Sequence, residues 1–139
     1  MTVEIIQANR GLPLPLSISE IPAGFPSPAE GYMDDALDLN ELLVKHPAAT
    51  FFVRVSGTSM VEAQIYPGDV LVVDRAKEAK NRDIVVAVLN GEFTVKRILK
   101  RVKELFLAPE NPKFPPIKVQ EGEDFQVWGV VTYVIHKAH

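Results

Sequence analysis

Two side chains in this sequence have types and settings that allow joint covalent chemistry. One is the hydroxyl of Ser59, in Arg54-Val55-Ser56-Gly57-Thr58-Ser59-Met60; the other is the amine of Lys96, in Phe93-Thr94-Val95-Lys96-Arg97. Ser59 follows an apolar strand through a tight glycine-containing turn, and Lys96 lies on a later apolar hairpin. A serine hydroxyl is a weak nucleophile until a base takes its proton, and an uncharged lysine amine can be that base. A free lysine titrates near 10.4, so a base poised at about 7–8 needs a shift of about three units, or ~4 kcal/mol. Burial of an amine supplies shifts of that size.

The hairpin provides such a setting. Asn90-Gly91 between apolar runs predicts a two-residue loop, which pairs Leu89 with Glu92, Ala87 with Thr94 and Val85 with Lys96. Cross-strand partners share a face, so Lys96 is expected beside Val85 and Ala87, with Thr94 and Ile98 two residues away on its own strand. Backbone N–H groups in the 57–60 turn, those of Ser59 and Met60, are placed to hold an oxyanion, with Gly57 permitting unusual dihedrals. A plainer reading stands beside this one. A lysine on a hairpin strand commonly covers apolar surface with its stem and solvates its tip, and a serine after Gly-Thr is commonly a turn residue. Spacing alone does not bring the two together.

The elements that must position them are mostly strands. Alternation over Phe51–Val55, apolar runs at Val70–Val73 and Ile84–Leu89, and Glu92–Leu99 all read as β. Glu104–Leu107, Ile117–Val119 and Phe125–His136 follow, separated by Pro-rich loops. Pro67-Gly68-Asp69 is a turn. One short helix is expected over Asp38–Val44, with Asp38 and Glu41 spaced as a capping box, Leu39, Leu42 and Leu43 on one face, and Pro47 ending it. The pattern predicts a mostly β, barrel-like domain over residues 36–139.

Residues 1–35 differ. Prolines at 13, 15, 22, 26 and 28 and glycines at 11, 24 and 31 predict an extended, mobile arm. Within it, Ile21-Pro22-Ala23-Gly24-Phe25-Pro26-Ser27-Pro28 sets small residues in extended chain. A protease groove accepts such a segment; the plainer reading, which composition alone favours, is a Pro-rich linker.

Composition narrows the remaining classes. The chain has 139 residues, 47% of them hydrophobic and 24% charged, enough for one domain with one core. A net charge of -3 predicts no global pull toward nucleic acid, and Lys96-Arg97, Lys100-Arg101 and Lys103 read as a solvated edge. With no cysteine there is no disulfide, thiol nucleophile or Cys-based metal site. His46, His136 and His139 carry no accompanying acidic motif for a metal or a Ser-His-Asp triad and are expected to be structural or exposed. Trp128 is expected in the core. The N-terminus lacks a signal-peptide pattern and no stretch is long enough to span a bilayer, so a cytoplasmic location is expected.

Ser56-Gly57-Thr58-Ser59-Met60, then Pro67-Gly68-Asp69, then Gly91-Glu92-Phe93-Thr94-Val95-Lys96-Arg97, in that order, resemble the Ser-Lys self-cleaving proteins of the LexA and phage-repressor class, family S24. The resemblance runs from Ala23-Gly24 through Trp128-Gly129-Val130-Val131. Gly24–Ala29, Asp38–Leu43 and the lack of a DNA-binding domain narrow it to the UmuD-like members, which serve error-prone polymerase V.

This resemblance implies a LexA- or signal-peptidase-like β fold, with Ser59 as nucleophile, Lys96 as general base and Ala23-Gly24 as the bond the protein cuts in itself. It implies cleavage promoted by the RecA filament on single-stranded DNA, with no metal or cofactor. The shortened homodimer would join a UmuC-type Y-family polymerase for translesion synthesis in the SOS response. Ala23 stands where some relatives have Cys but matches the Ala-Gly of the repressors, so a small side chain is kept. Two other readings remain: a non-catalytic β module that only docks on protein partners, and a signal-peptidase-like enzyme, which would need a membrane anchor.

Overall fold

The computed structural model describes residues 3–6, 13–17 and 33–138. In chain order the elements are β1 (Val3–Ile6), β2 (Pro13–Ser17), β3 (Met33–Asp38), α1 (Leu39–Leu43), β4 (Thr50–Val55), β5 (Val70–Asp74), β6 (Ile84–Leu89), β7 (Glu92–Lys100), β8 (Leu105–Ala108), β9 (Ile117–Lys118) and β10 (Phe125–Ile135). The chain divides into two compact units, Met1–Ala8 with His46–His139, and Asn9–Lys45. β1 thus belongs to the larger unit, and β2, β3 and α1 to the smaller one.

In the larger unit the strands form one antiparallel sheet in the order β1-β4-β5-β10-β6-β7-β8-β9. From β4 onward the strands follow the sequence pattern. The continuous apolar runs of β5 and β6 are explained by apolar packing on both faces of the sheet. Val53, Val55, Met60, Leu71, Val73, Val86 and Val95 form one buried cluster, while Val85, Ala87, Ile98, Leu107 and Val130 belong to a second. Neighbouring residues on one strand, Val85 and Val86, thus go to opposite clusters, as the two-residue period of a strand requires. Trp128 packs at the margin of the first cluster, half-buried against Phe51 and Phe93, with the Arg75 guanidinium over its ring.

Trp128 sits where β10 changes register between Val127 and Gly129. At Gly129 a Cβ would lie 2.6 Å from Val73 Cγ1, so no larger residue fits without displacing β5. The bulge lets β10 serve β6 with its first half and β5 with its second.

In the smaller unit β2 pairs with β3 across a register shift between Pro15 and Ser17. Strands of five and six residues form here despite the prolines. Helix α1 is shorter than the spacing predicts, and Leu39 and Leu42 are exposed. One turn of helix is too short to carry a buried stripe.

Candidate active site

The turn after β4 carries Ser59. Val55 is the last residue of the strand, and Gly57 follows with a φ of 88°, a left-handed conformation that glycine adopts without steric cost. Thr58 and Ser59 complete the turn, and Met60, fully buried in the first core cluster, anchors it from below. A single helical turn over Val61–Ala63 then leads the chain away.

The β6–β7 hairpin carries Lys96, and its register is the one the Asn90-Gly91 loop predicts: Leu89 opposite Glu92, Ala87 opposite Thr94, Val85 opposite Lys96. Both loop residues have positive φ, 51° and 83°, as this hairpin turn requires. Val85, opposite Lys96, and Ala87, opposite Thr94, are fully buried, so this face of the hairpin is apolar.

These two elements bring the amine and the hydroxyl together. Lys96 Nζ lies 3.2 Å from Ser59 Oγ, 2.8 Å from Thr94 Oγ1 and 3.1 Å from the Val95 carbonyl oxygen. Ser59 is 2% exposed and Lys96 6%, so bulk water solvates neither. Among the described residues no carboxylate pairs with this amine. Burial without a counter-charge holds the lysine below its ordinary titration range.

The three neighbours suit the uncharged amine. A neutral amine has two N–H donors and one lone pair. Thr94 Oγ1 and the Val95 carbonyl can accept the two protons, which leaves the lone pair facing the Ser59 hydroxyl. In that state Ser59 donates to Lys96. Deprotonation of the hydroxyl by the amine then needs no rearrangement of heavy atoms.

The serine turn is braced from the loop after β8. Glu110 N–H donates to the Ser59 carbonyl at 2.8 Å, the Glu110 carbonyl accepts from Glu62 N–H at 2.8 Å, and Asn111 Nδ2 donates to the Thr58 carbonyl at 2.8 Å. The Glu110 carboxylate in turn accepts from Arg97 Nε. The backbone N–H groups of Ser59 and Met60 donate to no acceptor among the described residues.

Spacing left the meeting of Ser59 and Lys96 open and only the family resemblance implied it; the structure brings the two side chains to 3.2 Å. Sequence reasoning placed Thr94 on the correct face but did not see it as a partner of the amine, although the two-residue spacing on one strand carries that signal. Nothing in the sequence marked Glu110 or Asn111, because hydrogen bonds through backbone atoms have no residue-type signature. The expected cleavage pair, Ala23-Gly24, lies outside the described residues, as does His139. His46 pairs through Nδ1 with the buried Asp74, and His136 with the buried Asp69, each at 2.6 Å. Burial raises the Asp74 pKa, but the hydrogen bond and charge of His46 and the N–H groups of Ala76 and Lys77 outweigh it and hold the carboxyl below its usual range. Among the described residues no helix is long and apolar enough to cross a membrane.

Residues 15–132 match the family model of S24-like peptidases. Among curated proteins, the chain is 47% identical over 137 residues to the protein MucA of Salmonella typhimurium, covering 96% of this chain and 93% of that one. It is 47% identical over 123 residues to SamA of Salmonella typhimurium strain LT2, covering 88% and 85%. It is also 40% identical over 124 residues to the LexA repressor of Paracidovorax citrulli, covering 89% of this chain and 54% of the repressor.

Proposed function

The chain belongs to the S24-like peptidase family, on its UmuD-like side, and from that membership we propose that it is a serine endopeptidase that cuts its own N-terminal segment between Ala23 and Gly24. The observation that carries the proposal is the 3.2 Å approach of two buried groups, the Ser59 hydroxyl and the Lys96 amine, in a setting that favours the amine uncharged.

The reaction runs in two halves. Ser59 Oγ adds to the Ala23 carbonyl carbon while its proton passes to Lys96 Nζ. The oxyanion is met by the Ser59 and Met60 backbone N–H groups, a role supported by their lack of another acceptor among the described residues. The C–N bond to Gly24 breaks, and the ammonium of Lys96 returns its proton to the departing Gly24 nitrogen. Water then adds to the Ser59 ester with Lys96 again taking the proton, and the Ala23 carboxylate leaves as Ser59 Oγ recovers its hydrogen. No metal or cofactor enters this sequence.

In the wider role, the shortened chain acts as a homodimer and as accessory subunit of an error-prone Y-family DNA polymerase of the UmuC type. RecA assembled on single-stranded DNA promotes the cut, as part of the SOS response in the cytoplasm. The identity to MucA and SamA and the match to a LexA repressor support this reading. The test is incubation of the purified chain with RecA filaments, followed by intact mass. A fragment beginning at Gly24 is expected from the wild type and from neither Ser59→Ala nor Lys96→Ala. The same fragment from either variant, or an uncut wild type, overturns the proposal.

A further inference from the structure

Ser59 and Lys96 are 37 residues apart in sequence, and their 3.2 Å approach depends on how the two segments that carry them are held together. The loop after β8 touches both. Through its backbone, Glu110 donates to the Ser59 carbonyl and accepts from Glu62, so one residue brackets the serine turn on both sides. Through its carboxylate it takes Arg97 Nε, on the residue that follows Lys96 in β7. Arg97 is itself fixed, since its Nη1 donates to the Arg82 carbonyl at 2.6 Å. The pair is about two-thirds buried, with side chains 29% and 30% exposed, so water screens it less than a surface ion pair.

We propose that Glu110, with Arg97, is a positioning pair that locks the serine turn to the lysine strand and sets the hydroxyl–amine distance. Neither residue touches the reacting atoms. Arg97 pairs across the sheet with Ile84 and Ala108, and consecutive residues of a strand face opposite ways, so its side chain leaves β7 on the side away from Lys96. The ion pair therefore acts by holding the two elements in register, and its charges reach the amine only through the sheet. This inference rests on the assignment of Ser59 and Lys96 as the reacting pair.

The charges give it a signature that a merely stabilising contact lacks. Charged groups on the elements about Lys96 are Arg54 on β4, Glu62 on the serine turn, Arg82 and Asp83 before β6, Glu92, Arg97 and Lys100 on β7, and Glu110. Burial is what lowers the Lys96 pKa in the wild type; removing Glu110 leaves the Arg97 cation uncompensated, which is expected to lower it further. Removing Arg97 leaves the Glu110 carboxylate uncompensated, which is expected to raise it.

The experiment compares wild type, Glu110→Gln, Arg97→Ala, the double variant and the charge-swapped pair Glu110→Arg with Arg97→Glu. Cleavage rate, thermal midpoint and the Lys96 titration, read from its side-chain NMR signals, are measured for each. Each single variant is expected to cut between about tenfold and a hundredfold more slowly, and the double variant no more slowly than the worse single one. The Lys96 titration should move down in Glu110→Gln and up in Arg97→Ala, and the swapped pair should regain part of the rate. Folded single variants that cut at the wild-type rate, or titrations that move the same way, overturn the inference. The NMR titration does not depend on cleavage. An uncut wild type with opposite Lys96 shifts would defeat the catalytic reading while leaving the electrostatic coupling of the pair intact.

Discussion

At the scale of single residues, the site depends on keeping an amine uncharged without leaving it unsatisfied. Thr94 acts beside burial: its hydroxyl lies 2.8 Å from the amine and can accept one of its protons, which leaves the lone pair for Ser59. Thr94→Val keeps the shape of the side chain and removes the acceptor. Self-cleavage should fall by about tenfold, the worth of one hydrogen bond of this kind, with the fold retained by circular dichroism. Burial of the amine also has a signature in stability. The folded-state pKa lies below the unfolded one, so the unfolded chain holds the extra proton between those two values, and stability rises with pH across that window. Replacing the amine by an isosteric apolar group removes this dependence. Lys96→Met should be more stable than wild type near pH 6, with the advantage shrinking as pH approaches about 10.4, the unfolded-chain value. An advantage that grows with pH in denaturant titrations would contradict the buried-amine account.

At the scale of elements, the sheet from β4 onward was legible because its strands carry strong local signals. Asn90-Gly91 set the β6–β7 register, and that register alone put Val85, Ala87 and Thr94 around Lys96. β1 and the β2–β3 hairpin were not legible. Val3–Ile6 is short and followed by polar residues, and its pairing with Phe52–Val55 is a tertiary choice with no local mark. Pro13 and Pro15 argue against a strand, yet at an edge the missing N–H need not point at a partner. The bulge at Trp128 was also silent, although Gly129 beside it is required by packing. Gly129→Ala should destabilise the fold by about 1–3 kcal/mol through overpacking against Val73, measured by urea unfolding. A neutral result would mean that β5 and β10 are free to separate there.

At the scale of the whole molecule, the chain divides into a larger unit that holds Ser59 and Lys96 and a smaller unit that carries β2, β3 and α1. Composition does not mark the break between Lys45 and His46, because the proline-rich stretch ends well before it. The net charge of -3 gives no bulk attraction for DNA, so the proposed response to a nucleoprotein filament would rest on protein surfaces. The proposed activity turns on one event, transfer of the Ser59 proton to an uncharged Lys96 across the 3.2 Å between them. The most direct test is the rate of appearance of the Gly24 fragment as a function of pH, without activator, in wild type and Lys96→Ala. The account predicts a single rising limb with a midpoint below the ordinary lysine value of about 10.4, a plateau above it, and no product from Lys96→Ala. A rate independent of pH, or a rising limb that survives in Lys96→Ala, would contradict it.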